Sequence, residues 1–122
     1  MRITGWVLSI LVSLFMLVDG FGHTMQFAPY VKGTVDVGYP ASVVMPIGIV
    51  ELAIAILYVI PQTNILGAIL LTAYFGGATA THVRVSQPFY LPIVFGVVTW
   101  LGLWLRDGEL RRLTPFRTTE IR

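Results

Sequence analysis

Six side chains that could do acid–base or binding chemistry stand in largely apolar segments of this sequence. They are Asp19, His23, Glu51, Tyr74, His82 and Arg84. A carboxylate and an imidazole held together away from water can pass a proton between them. Arginine can hold a carbonyl or an oxyanion through two hydrogen bonds. The set therefore suits proton transfer to a small lipophilic molecule, or binding of a quinone, whose carbonyls need proton donors.

We predict a role for each of these residues. The catalytic residues are predicted to be His82 and Glu51, as a proton-transfer pair, with Asp19 as a second carboxylate. Ligand binding is assigned to Arg84, His23 and Tyr74, with Arg84 as the anchor. Charges near a bilayer centre cost about 2.5–3.5 kcal/mol each on insertion scales, which favours a functional interpretation.

Each charged residue also has a plainer interpretation. Glu51 could hold the helices together by pairing with Arg84 or His82, and Asp19 could be solvated at the interface. Arg84 could extend to lipid phosphates, and His23 could be an ordinary loop residue. Two histidines and carboxylates could bind zinc or iron, but no HxxxH or HExxH spacing occurs, so we predict no metal. The absence of cysteine excludes a thiolate site from this chain.

The elements that must position these residues are predicted to be membrane helices. The chain is 56% hydrophobic and 11% charged, with a mean hydropathy of +0.80. A membrane helix needs about 20 mostly apolar residues. Four segments meet or approach this length: 3–21, 42–60, 65–81 and 89–105. We therefore predict one all-α domain, residues 1–122, folded as a four-transmembrane-helix bundle.

Two further features of the helices are predicted from residue spacing. Between the first two spans, Pro29 can open a short amphipathic helix in which Lys32 and Asp36 form an i,i+4 pair. We expect this helix to lie at the membrane interface, where it could act as a lid. In the third span, small residues recur every four positions and predict a close helix–helix seam. These residues are Ala68, Thr72, Gly76 and Ala80.

The arginines predict the orientation. Arg2 precedes the first span, and residues 106–122 form a basic tail, so both termini are expected in the cytoplasm. This orientation gathers Asp19, Glu51 and His82 in the outer half of the membrane. The tail is expected to contact anionic lipid, and nothing in the sequence calls for nucleic acid.

Several stretches of the sequence resemble the DoxX-like family of small bacterial membrane proteins. They are LVDGFGH, PIGIVEL, YVIPQTNILGAILLTAYFGGATATHVRV and WLGLWLRDGELRRL. The resemblance implies a four-helix fold in the bacterial cytoplasmic membrane. It places Asp19 in the family's D-G motif and His82 and Arg84 in its T-H-x-R motif; where relatives often carry lysine, this chain has His23. The founding relatives are membrane subunits linked to thiosulfate or quinone oxidation.

These observations lead to one main functional hypothesis. The protein is expected to hold a small lipophilic molecule and to act as an acid–base enzyme, by isomerisation or hydrolysis, or as a quinone-linked oxidoreductase subunit. No cofactor is required by the sequence, although a quinone is possible. The alternative is a non-catalytic subunit or assembly factor of a larger complex. A small transporter would have to oligomerise, and either a homo-oligomer or a partner subunit is expected.

Overall fold

Residues 1–117 fold entirely into helices and the turns between them. A computed structural model describes residues 1–117, so the last five residues of the predicted tail lie outside the described residues. A short 3₁₀ turn, Ala41–Val43, leads directly into the third of the six α-helices. These helices are α1 (Arg2–Thr24), α2 (Ala28–Asp36), α3 (Val44–Val59), α4 (Asn64–Arg84), α5 (Tyr90–Arg106) and α6 (Gly108–Leu113).

The four longer helices have the dimensions and polarity of membrane spans. α1, α3 with its 3₁₀ turn, and α4 are long and apolar enough to cross a bilayer, and α5 is a shorter apolar helix of 17 residues. At about 1.5 Å per residue, α5 covers about 26 Å, close to the thickness of the hydrocarbon core. The predicted all-α membrane fold, with a short helix between the first two spans, is confirmed.

Residue size and polarity are distributed in the way that lipid requires. On α1 the large side chains of Ile10, Leu14 and Val18 are exposed, whereas Ser9 and Ser13 are buried. Apolar burial cannot drive helix association in lipid, so close packing of small residues and hydrogen bonds must do so. The inward face of α1 is accordingly made mainly of small residues.

The four spans form a ring in which each contacts two neighbours. α1 packs on α3 and α5, and α4 packs on the same two helices. Gly48 of α3 lies against the α1 backbone, where an added Cβ would overlap the amide nitrogen of Thr24. At the other end of α1, a Cβ on Gly5 would lie 2.7 Å from the carbonyl oxygen of Gly102. Both contacts require glycine, and together they fix α1 between its two neighbours.

The short helix α2 lies across one end of this ring. Its predicted ion pair is present, since Lys32 Nζ donates to Asp36 Oδ2 over 2.7 Å. That hydrogen bond raises the pKa of Lys32 above its usual range. On the inner side, the ring of Tyr30 packs directly on the backbone of Gly22, and Thr34 is buried. α2 is therefore docked on the bundle as well as amphipathic.

The small residues of α4 do not form one continuous seam. Gly67 packs against the backbone of Tyr58, and Ala68 is fully buried, so the α3–α4 contact uses this part of the pattern. A Cβ on Gly76 or Gly77, in contrast, would meet no heavy atom within 4 Å. The prediction of close packing at Gly76 is therefore wrong within this chain. The repeat has the right spacing, but helix rotation turns its second half out of the bundle.

That outward-facing half opens into an apolar groove between α4 and α5. Its volume is about 1120 Å³, and the ring of Phe75 lies at its base. Neither indole that lines it has a free N–H, because Trp100 donates to Thr72 and Trp104 to the carbonyl of Thr114. The groove therefore presents an apolar surface on which both indole N–H groups are already hydrogen-bonded.

The opposite end of the bundle is held by an arginine network. Arg106 lies over the Trp6 ring at 4.1 Å and donates from Nε to Ser9 Oγ over 2.9 Å. Arg111, predicted to contact anionic lipid, donates to two carbonyls at the end of α5. Arg112 pairs with Glu109. The predicted lipid contact of the tail stays a prediction.

A candidate intramembrane polar site

Asp19 and His23 are brought together by the length of α1. The helix continues to Thr24, three residues beyond the predicted end of the first span, so His23 lies one helical turn after Asp19 on the same face. His23 Nδ1 lies 2.8 Å from the Asp19 carbonyl oxygen and 3.3 Å from its Oδ2. The structure therefore makes His23 a helical residue and not a loop residue.

Glu51 joins this pair from α3. The Gly48 contact brings the α3 backbone against α1, and Glu51 follows one turn later, packed beside Gly20. Its Oε1 lies 3.2 Å from His23 Nδ1. Ligand atoms of Asp19, His23 and Glu51 all lie within 4.8 Å of one another, and we call these three residues the polar cluster.

Burial increases through the cluster towards Glu51. The side chain of Asp19 is 23% exposed, that of His23 is 13% exposed and that of Glu51 is fully buried. Neither carboxylate oxygen of Glu51 has a hydrogen-bond partner. A buried polar atom without a partner is costly, so Glu51 is the least satisfied group of the cluster.

Two tyrosines border the polar cluster. The Tyr30 ring of α2 meets the His23 imidazole edge to face, with centroids 5.1 Å apart. Tyr74 of α4 faces both carboxylates, but its hydroxyl makes no hydrogen bond to Glu51. The site is thus contained by α1, α3 and α4 below the short helix α2, and one of its walls carries a phenol.

The charges of the cluster do not balance internally. Within residues 1–117, no lysine or arginine nitrogen lies within 4.0 Å of either carboxylate. His23 is the only partner of opposite sign that the described residues provide, and it is shared by two carboxylates. An unbalanced charge in a low-dielectric interior is strongly unfavourable. The cluster therefore favours an additional proton, cation or hydrogen-bond donor.

The predicted pairing of Glu51 with His82 is not what the structure shows. His82 directs Nδ1 to the Ala78 carbonyl at 2.7 Å, and no carboxylate of the described residues lies within 4.0 Å of it. The cause is the rotation of α4. At 100° per residue, His82 lies about 80° round the helix from Tyr74, which faces the cluster. His82 and Glu51 are predicted at a similar depth in the membrane, but His82 does not lie on the face of α4 that Tyr74 directs towards the cluster.

Arg84 and Thr81 hold the segment that follows α2. Arg84 donates to the Val37 carbonyl over 3.1 Å, and the Thr81 hydroxyl lies 3.0 Å from that of Tyr39. We call these two contacts the α4 clasp. The prediction of Arg84 as an anchor for ligand beside Glu51 is thus not matched by its contacts. Of the predicted ligand-binding residues, His23 and Tyr74 are at the cluster, and Arg84 is in the clasp.

Comparison with known families identifies the fold. Residues 7–102 match the model of the DoxX-like family. The match includes all of α3 and α4, and it leaves out only the beginning of α1 and the end of α5 among the four spans. The chain belongs to the DoxX-like family. No curated protein and no solved structure matches it.

Family membership agrees with the helices in showing what broad class of protein this DoxX-like chain is. The matched residues include the polar cluster, Tyr74 and the α4 clasp, so all of them lie within the family's domain. Arg106 and α6 lie beyond it. Together with the apolar helices, the match shows a multi-pass membrane protein.

Proposed function

We propose that this DoxX-like protein binds a small lipophilic molecule by an oxygen-bearing head group at the polar cluster and performs acid–base chemistry on it. One observation carries the proposal. Glu51 is fully buried, 3.2 Å from His23, and neither of its carboxylate oxygens has a hydrogen-bond partner. A hydroxyl group of a ligand would supply the donor that Glu51 lacks.

The arrangement offers both halves of an acid–base reaction. Asp19 and Glu51 provide acceptor oxygens, and the His23 imidazole between them provides an N–H. Tyr74 adds a hydroxyl that can orient the same head group. Groups of these types, held within hydrogen-bond reach of a substrate, support isomerisation or hydrolysis. Quinone-linked redox chemistry would use the same donors for the quinone oxygens but needs an electron-carrying partner.

The proposal is tested by the molecule that accompanies the purified protein. The full chain is extracted gently, and its non-phospholipid content is identified by native mass spectrometry and solvent extraction. We expect one lipophilic compound at about one copy per chain. The Glu51→Gln variant should lose it at least tenfold, because a neutral amide cannot replace two acceptor oxygens. Turnover of the identified compound is then measured directly.

The matched control is Glu109→Gln, which makes the same chemical change at an exposed residue paired with Arg112. It should copurify with the wild-type amount. If Glu51→Gln melts earlier but retains the compound, Glu51 has a structural role and the proposal is wrong. A stoichiometric protein partner in place of the compound would favour the alternative function, a non-catalytic subunit.

A further inference from the structure

We propose that Asp19, His23 and Glu51 together bind a divalent transition-metal ion. The proposal goes beyond ligand binding at the same site, because an ion can bind there with no lipophilic molecule present. It rests on the spacing of the three side chains and, independently, on the buried Glu51 carboxylate, neither oxygen of which has a hydrogen-bond partner.

The spacing of the ligand atoms fits a metal coordination shell. Two atoms bonded at about 2.1 Å to the same ion lie about 3.0–3.4 Å apart for octahedral or tetrahedral angles. His23 Nδ1 lies 3.3 Å from Asp19 Oδ2 and 3.2 Å from Glu51 Oε1. An ion can therefore be accommodated among these atoms with small side-chain movements. It would displace the contact between Nδ1 and the Asp19 carbonyl oxygen.

The missing hydrogen bonds of Glu51 give the second argument. Glu51 is fully buried, and neither of its oxygens has a hydrogen-bond partner. A protonated His23 between two carboxylates leaves one negative charge uncompensated. Two carboxylates, a neutral imidazole and a divalent ion sum to zero. A metal thus neutralises the cluster and gives the Glu51 oxygens a bond that they otherwise lack.

The ligand types indicate which ions fit. One imidazole nitrogen and two carboxylate oxygens suit zinc, manganese or iron(II), and no thiolate is present to favour copper(I). Three protein ligands leave at least one coordination position free. The partly exposed Asp19 marks the side from which an ion can enter. An ion held there would polarise the oxygen of a bound head group.

Direct metal titration tests the site. The full chain, with any affinity tag removed, is stripped with chelator, delipidated in detergent and titrated calorimetrically with zinc, with manganese, and with iron(II) under anaerobic conditions. We expect one ion per wild-type chain for at least one metal. Glu51→Gln and His23→Gln should each lower the affinity at least tenfold. Asp36→Asn, the same type of change at an exposed carboxylate, should leave it unaltered.

Cobalt(II) provides a readout that depends on the ligands themselves. A cobalt-loaded wild-type chain should show visible d–d absorption bands, and His23→Gln should lose or shift them while circular dichroism shows an unchanged helix content. If no metal binds, or if Glu51→Gln binds as tightly as the wild type, the metal proposal is overturned. Because no lipophilic molecule is present in these titrations, their result is independent of the proposed function.

Discussion

His23 and His82 make the same local contact but have different surroundings. Each places Nδ1 on the carbonyl oxygen four residues earlier in its own helix. Among the residues that the structure describes, only His23 also lies within 4.0 Å of carboxylates, those of Asp19 and Glu51. The chemistry available to an imidazole here therefore depends on which way its helix faces.

The two histidines give the sharpest comparison at the residue scale. His23→Ala should lose at least nine-tenths of the copurifying lipophilic compound, because it removes the imidazole that lies within 4.0 Å of both carboxylates. His82→Ala should retain it, since within residues 1–117 this imidazole is hydrogen-bonded to its own helix and lies beyond 4.0 Å from every carboxylate. Mass spectrometry of both variants, with melting curves to confirm folding, makes the comparison. The reverse pattern would restore the sequence-based pairing of His82 with Glu51.

Part of the polar cluster could be predicted from the sequence, and part could not. Asp19 and Glu51 were identified because charges in apolar spans are rare. The four-residue spacing of Asp19 and His23 places both on one face of a helix. Because the predicted first span ends at Phe21, His23 is not predicted to lie on that helix. The pairing of Glu51 depended on the rotation of α3 and α4 about their own axes, which membrane depth does not determine.

At the scale of helices, contact between backbones explains more than side-chain burial. α3 meets α1 at Gly48, and this contact also sets the position of Glu51 beside His23. Gly76 of α4 is the same residue type, but a Cβ added there would meet no heavy atom of the described residues within 4 Å. Two glycines in the same bundle should therefore respond very differently to substitution.

Substitution of these glycines by leucine tests that difference. Gly48→Leu should lower the detergent melting temperature strongly, because overpacking at a backbone contact costs about 1–3 kcal/mol or more. Gly76→Leu should leave the melting temperature of the monomer unchanged. A large loss of stability in Gly76→Leu would mean that a neighbour absent from the single chain packs on this face.

The α4 clasp makes a separate prediction. Arg84→Ala removes the hydrogen bond to the Val37 carbonyl, and bonds to charged groups contribute about 1.5–3 kcal/mol. Amide hydrogen exchange should accelerate in residues 37–41 while the amides of α3 stay protected. Arg112→Ala, at the opposite end of the bundle, should leave this segment unchanged. Equal protection in Arg84→Ala and the wild type would show that the Arg84 contact of the clasp is dispensable.

The helices themselves were predictable because apolar length and proline boundaries determine them. The predicted spans 42–60 and 65–81 overlap the observed α3 and α4 closely, with Pro61 between them. The observed α4 extends to Arg84 and ends in a turn where Ser86 adopts a positive φ, before Pro88 is reached. The two contacts of the α4 clasp are not predictable from the sequence, since each joins residues that are more than 40 positions apart.

At the scale of the whole molecule, the bundle has an apolar exterior and an apolar core with a group of buried polar residues towards each end. The polar cluster lies towards the end covered by α2, and the network of Arg106, Ser9 and Tyr58 lies towards the other. Core residues such as Met16, Leu71 and Phe75 separate them. The two ends of the protein are therefore chemically different. Its orientation in the membrane decides which side of the bilayer the polar cluster faces.

Cysteine labelling tests that orientation. The chain has no cysteine, so single substitutions report cleanly. We predict cytoplasmic termini, which places Gln62 inside and Gln87 outside. In intact cells an impermeant thiol reagent should label Gln87→Cys at once and Gln62→Cys only after permeabilisation. Labelling in the opposite order would place the polar cluster on the cytoplasmic side.

The pairing of Asp19 with His23 within one helix has a consequence for biogenesis. When α1 enters the bilayer it already carries a carboxylate and its partner one turn apart. The Glu51 carboxylate of α3 has no such partner in its own helix and meets His23 only when the two helices dock. Membrane integration of α3 should therefore depend on α1, and removal of the His23 imidazole should slow that step before any ligand is involved. The side chain that organises the mature site would then also assist the assembly of the bundle.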